Sequence, residues 1–326
     1  LIKVLVVGKL NSIVNWTENT VDAFRLAGCQ VDHFALNGET HLHSLYLKLQ
    51  DKLYGNKSKI VTMNLYKKLR KYRPDLIVFV RTASTYLPDS IFQAATQAAQ
   101  NATKVVWVGD MFNRAEGEFA NHVDWVFCTD SAFIDVIKDY KLSSPASYLP
   151  LAVNPKMFHP MDIKRLNTLT YVANYTTGRG EIVSAIKKSV TLYGKGWSKL
   201  KNSPHKINAY RLPYSKLPEV YASCRAVLNV KNEINVINGL NQRSFEPFGC
   251  MTPVLSDAMG DMDKCFEVGK EVLVYNSIDE LNELHDRLTS DASFANAIGQ
   301  AGYKRVIAEH TYMHRAETIL TQVGLR

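Results

Sequence analysis

Residues 2–8 read Ile2-Lys3-Val4-Leu5-Val6-Val7-Gly8. A continuous apolar run that ends at a glycine suits a strand buried on both faces of a parallel sheet. It is far shorter than the ~18 residues that span a bilayer, and polar residues follow it, so it reads as a core strand and not as a signal peptide. The same unit recurs down the chain. A helical pattern from about Thr17, with Val21, Phe24 and Leu26 near one face, stops at Gly28. Residues 31–36 form the next strand. Helical stretches cover 42–53 and 61–72, and Pro74-Asp75 breaks the chain before the apolar run 76–80. Strands at 105–108 and 125–128 alternate with helices near 88–99 and 131–139. This alternation predicts an α/β domain built on a doubly wound parallel sheet.

Ligands of such sheets lie at the carboxyl ends of the strands. That rule gathers Gly8, Asn11 and Ser12, then Arg81 to Ser84, then Asp110 to Asn113 along one rim. Asp110 is the candidate for chemistry there, as a general base, the alternative being a helix cap or loop brace. Arg81 is either a phosphate or acceptor contact or an ion-pair partner.

Pro145, Pro150, Pro155 and Pro160 punctuate a stretch with little helical periodicity, which marks a hinge. The alternation then restarts, with strands at 169–173, 190–193, 226–230, 254–256 and 272–275 and helices at 179–188 and from 278 onward. A length of 326 residues accommodates two such domains. Their expected limits are 1–155 and 156–311, with a final helix, 312–326, crossing back to the first.

Composition narrows the function. Hydrophobic residues are 46% and charged residues 21%, as in an ordinary globular protein. Five widely spaced cysteines form no C-x-x-C pair, which argues against a zinc or disulfide framework and for free thiols in the cytoplasm. The net charge of +8 favours phosphate-bearing partners. The densest basic run lies between Lys57 and Arg73. It is either a solvated helix face or a peripheral contact with an anionic membrane or polymer. Residues 8–13 lack the glycines of a dinucleotide fingerprint, and neither a Walker A loop nor a G-x-S-x-G elbow occurs. Asp261-Met262-Asp263 resembles a D-x-D metal motif but reads as capping, solvent-exposed acid.

The most informative segment is Asn241-Gln242-Arg243-Ser244-Phe245-Glu246, followed by Pro247-Phe248-Gly249-Cys250 and Pro253-Val254-Leu255-Ser256-Asp257. A polar loop enters a short helix, whose free N–H groups suit a pyrophosphate, and Arg243 adds a bidentate fork. Glu246 could accept hydrogen bonds from both ribose hydroxyls, or fold back on the loop as a capping box. The two readings are even.

This segment resembles the glycosyltransferase group 1 domain of the CgeB-like (spore-protein) family. Tyr171-Val172-Ala173-Asn174-Tyr175 with Arg179, Tyr193-Gly194-Lys195-Gly196-Trp197, Leu217-Pro218-Glu219-Val220-Tyr221, Leu228-Asn229-Val230 and His310-Thr311-Tyr312 are similar too, in the same order. The likeness covers roughly residues 145–320. It implies a GT-B fold, two Rossmann-like domains facing a central cleft, and a glycosyltransferase whose nucleotide-sugar donor (UDP-, GDP- or dTDP-linked) lies on the C-terminal domain. By this resemblance Glu246 holds the ribose, and Asn241, Arg243, Ser244 and Phe245 surround the diphosphate. Arg211, Pro213 and Tyr214 lie beside the base, and Tyr175, Arg179 and Lys231 line the donor side. No metal or other cofactor is needed, since the cationic residues can meet the leaving diphosphate. The acceptor would be a polysaccharide or lipid-linked glycan, a protein, or DNA. The E-x7-E pattern of many retaining relatives is incomplete, because its first position falls on Asn238 and Glu233 is out of register. A non-catalytic two-lobed nucleotide- or sugar-binding protein is the alternative.

Overall fold

The computed structural model describes residues 1–11, 14–82, 85, 87–200 and 203–326. Ser12 and Ser84, both expected on the rim, lie outside them. The chain forms two compact units. One comprises Leu1–Pro150, Glu233–Gly239 and Tyr312–Arg326, and the other Leu151–Asn232 and Leu240–Thr311. The boundary falls at Pro150, five residues before the expected one, and the segment Glu233–Gly239 joins the first unit.

The first unit holds a six-stranded parallel sheet of β1 (Lys3–Gly8), β2 (Gln30–Ala35), β3 (Leu76–Arg81), β4 (Thr103–Val108), β5 (Trp125–Cys128) and β6 (Ala146–Tyr148). Its order is β2-β1-β3-β4-β5-β6. Every residue of β3 is buried, as a central parallel strand covered on both faces requires. Val4 of β1 lies opposite Leu76 of β3 and Val31 of β2. The helix Tyr312–Gln322 packs against the helix Trp16–Leu26. Tyr312 meets Trp107 edge-on at 6.0 Å, and Arg315 Nε donates to the Pro150 carbonyl at 2.7 Å.

Asp130, after β5, ties the inserted segment to this unit. Its fully buried carboxylate accepts from the Ile237 and Asn238 amides at 2.7 and 3.0 Å, and from Ala132 N–H at 2.9 Å. Gly239 completes the join, because a Cβ there would lie 2.8 Å from Asp130 Cβ.

The second unit repeats the plan with β7 (Leu166–Val172), β8 (Val190–Tyr193), β9 (Lys206–Asn208), β10 (Cys224–Asn229), β11 (Val254–Asp257) and β12 (Leu273–Tyr275). All pairings are parallel, and the order is β12-β11-β10-β7-β8-β9. The chain therefore winds outward in one direction from β7 and in the other from β10. The carboxyl ends of that pair are the topological switch point, where open α/β sheets bind ligands.

Candidate functional site

Arg243 occupies that switch point. Asn241 has extended backbone, and its side-chain oxygen accepts the Arg243 N–H at 2.9 Å, starting a 3₁₀ turn over Gln242–Ser244. The turn aims the guanidinium across both strand ends. Nη1 donates to the carbonyl of Val172, the last residue of β7, at 3.2 Å. Nη2 reaches the carbonyl of Val230, just past β10, at 3.5 Å. The group lies over the Tyr171 ring, 5.6 Å from its centroid.

Asn229, fully buried at the end of β10, holds the turn from below. Its Oδ1 accepts from Asn241 Nδ2 at 2.9 Å and from Arg243 Nε at 3.2 Å. Its Nδ2 donates to Ser244 Oγ at 3.1 Å and Ser256 Oγ at 3.2 Å. A buried network satisfied at each member fixes one geometry.

Arg179 is the second cation. It sits in the helix Thr177–Ser184, capped by the Thr176 hydroxyl, and its Nη1 donates to the Asn174 carbonyl at 3.2 Å. Its buried Nε has no hydrogen-bond partner among the described residues. Burial lowers its pKa, with the Arg243 charge contributing in the same direction. On the other side Asp257 accepts the Lys231 amide at 3.0 and 3.2 Å, and burial raises its pKa. Two guanidinium groups share this end of the sheet, which an anionic ligand would balance.

Glu246 is buried, and its Oε1 accepts from the Tyr214 hydroxyl at 2.7 Å. Burial pushes its pKa up to about 8, against the opposing pull of Tyr214 and Arg243. The capping box is absent, since Phe245 caps the helix Glu246–Gly249 with no side-chain bond.

Other expected residues fall differently. The Phe245 ring is fully buried between Phe266 and His310, at 5.5 and 5.6 Å, so its side chain packs into the core. Ser244 is fully buried as well, engaged by Asn229. The Tyr175 ring packs edge-on against Trp197 at 5.5 Å, with Lys199 Nζ over it. Arg211 and Pro213 are exposed in the loop before Tyr214. Asp261 stands at the N-cap position of the helix Met262–Cys265 with no side-chain cap bond, and it is buried and paired with Lys264 at 2.7 Å, which corrects its reading as exposed acid; Asp263 is exposed.

In the first unit, Gly8 is closely overlain by Thr17, and the exposed Asn11 donates its amide to Glu18 at 2.5 Å. Arg81 is a brace. Its guanidinium lies 5.3 Å from the Phe112 and Phe119 ring centroids and bonds the Asp110 carbonyl at 3.3 Å and Glu116 at 3.5 Å. Asp110 is half-buried at the carboxyl end of β4, one residue past Gly109. Three components were not expected from the sequence: Asn229 as the hub of the network, Tyr214 as the partner of Glu246, and Asp130 as the anchor of residues 233–239. Only Asn229 left a signal, a lone amide closing an apolar strand.

Two doubly wound parallel sheets with flanking helices match the GT-B fold of solved glycosyltransferases. Residues 179–321 match the family described as glycosyl transferase-like. Among solved structures, a sucrose-phosphate synthase of Thermosynechococcus elongatus is similar at 13% identity and a TM-score of 0.69, covering 100% of this chain and 99% of that one. HepE of Anabaena, in complex with UDP and glucose, is similar at 12% identity and a TM-score of 0.69, with 100% of each chain covered. A DNA-modifying β-glucosyltransferase is similar at 12% identity and a TM-score of 0.58, covering 99% of this chain and 100% of that one. No protein of curated function matches the chain in sequence.

Proposed function

We propose that this chain transfers a glycosyl unit, a hexosyl in the first instance, from a nucleotide-sugar to a hydroxyl-bearing acceptor. The observation that carries the reading is Arg243, held across the ends of β7 and β10 by Asn229 and Asn241, with Arg179 beside it. The matched family segment contains Arg179, Arg243 and Glu246, and HepE is described with UDP bound. In the transfer, the bond between the anomeric carbon and the diphosphate oxygen breaks, and a bond to the acceptor oxygen forms. Charge grows on the departing diphosphate, where fixed cations act most strongly. Arg243 and Arg179 would meet that charge, with Lys231 nearby and no metal required. Glu246 would take the ribose hydroxyls, exchanging the Tyr214 bond for them. Asp110 would accept the acceptor proton.

Within the glycosyltransferases, the quoted motifs support a relationship to the CgeB-like group. A glycan, lipid-linked sugar, protein or DNA would serve as acceptor. The five cysteines are buried and none forms a disulfide, which fits action in the cytoplasm. Calorimetry of the intact chain with UDP, GDP and dTDP, and hydrolysis of the corresponding sugar donors, tests the reading. One nucleotide should bind, Arg243→Ala should abolish that binding, and its sugar donor should turn over. Binding without turnover of any donor would instead mark a two-lobed binding protein.

A further inference from the structure

The helix His41–Tyr54 buries one side chain, Leu47, and turns a second apolar stripe to solvent. Leu42, Leu45, Tyr46, Leu49 and Leu53 follow the i, i+3, i+4, i+7, i+11 spacing of a single helix face. All five are between 48% and 78% exposed. Tyr54 is exposed as well, and so are Met63 and Tyr66 on the helix Lys57–Tyr72. Lys48 and Lys52 follow Leu45 and Leu49 by three residues and so border the stripe.

The charge is equally local. The chain has 39 basic and 31 acidic residues, and nine basic and one acidic of these lie in residues 41–73, leaving thirty of each elsewhere. The whole formal excess of +8 is carried by residues 41–73. Lys48, Lys52, Lys59 and Lys67 form no ion pair among the described residues.

The geometry points to an anionic lipid bilayer as the partner of this face. The leucine stripe would enter the headgroup–acyl boundary, and the lysines would meet lipid phosphates. Two other occupants fit less well. A second copy in a two-fold contact would set the entire net positive charge against itself. A nucleic acid would use the lysines for its phosphates and could stack on the tyrosines, but would leave the four exposed leucines without a role. No described helix is long and apolar enough to cross a membrane, so the contact would lie in the plane of the interface. The inference does not depend on glycosyl transfer.

Co-sedimentation of the intact chain with vesicles tests it, comparing phosphatidylcholine alone with an equal mixture of phosphatidylcholine and phosphatidylglycerol. The chain should bind the mixed vesicles only, and less at high salt. The variant combining Leu45→Gln, Leu49→Gln and Leu53→Gln alters exposed side chains and should fold, as its melting curve would show. Its partitioning should fall on the order of a hundredfold. Tryptophan emission from Leu49→Trp should shift to the blue when mixed vesicles are added. The inference is overturned if the chain ignores these vesicles or if the triple variant binds them as well as wild type. Light scattering that shows a dimer dispersed by the triple variant would overturn it in favour of self-association.

Discussion

Arg243 makes three bonds that depend on the planar fork of a guanidinium, two to strand-end carbonyls and one to Asn229. Lysine keeps the charge but cannot span the two strand ends. Arg243→Lys should therefore weaken nucleotide binding by ~10–100-fold, by the 1.4 kcal/mol-per-decade scale, with the fold retained; calorimetry and a melting curve on one sample check both halves. Glu246 supplies a pH signature. Its folded pKa of about 8 lies above the ~4.3 of an unfolded glutamate, so the folded chain holds a proton that the unfolded chain has lost between those values. Stability should then fall as pH rises through that window, and Glu246→Gln should remove the slope, gaining on wild type by pH 8. If the carboxylate takes the ribose hydroxyls, nucleotide affinity of the wild type should rise with pH toward about 8 and that of the Gln variant should stay flat. A flat wild-type profile would detach Glu246 from the ribose. Asp110→Asn should leave nucleotide affinity intact and cut turnover by ~10²–10⁴-fold, as loss of a general base does. Near-normal turnover would remove Asp110 from the chemistry. The candidate residues Asn241, Arg243 and Glu246 were readable as a group because they lie in one short segment. Their bonding partners were not, since Tyr214 stands 32 positions from Glu246 and Val172 stands 71 from Arg243.

At the scale of elements, central strands were legible because burial on both faces forces an unbroken apolar run, as in β3 and β4. The edge strands β6 and β9, Ala-Ser-Tyr and Lys-Ile-Asn, are three residues long and only partly buried, so neither periodicity nor composition betrays them. The segment Glu233–Gly239 was illegible for another reason. Its attachment is made by hydrogen bonds to a carboxylate 107 residues away, with no local pattern. Asp130→Ala would leave three amides without their acceptor, two of them in that segment. Charge-assisted bonds of this kind are worth ~1.5–3 kcal/mol each, and partial rehydration recovers some of the loss, so a net cost of about 3 kcal/mol is expected. Hydrogen exchange should show the Ile237 and Asn238 amides deprotected first. Unchanged protection there would mean that the segment is held by something other than Asp130.

On the scale of the whole molecule, the compact units were foreseeable from two rounds of strand–helix alternation, and the return of the last helix from the resemblance. That the chain also crosses to the first unit and back at residues 232–233 and 239–240 was not. Residues 151–311 expressed alone carry Glu233–Gly239 without its carboxylate. This fragment should melt below the intact protein, and a short glycine–serine replacement of residues 233–239 should recover part of the difference. A fragment as stable as the full chain would show that the segment costs nothing when released. Chelation by EDTA should leave turnover unchanged if the arginines alone meet the diphosphate; loss restored by Mg²⁺ would assign that charge to a cation. The four passages between the units also constrain inheritance. A gene conversion that exchanges everything after codon 150 with a distant homologue would bring a foreign heptapeptide to the native Asp130 and a foreign last helix to the native Trp16–Leu26 helix. Mosaic descendants of this gene should therefore keep codons 233–239 and 312–326 from the same parent as codons 1–150, and breeding a new donor specificity onto this scaffold calls for four junctions, not one.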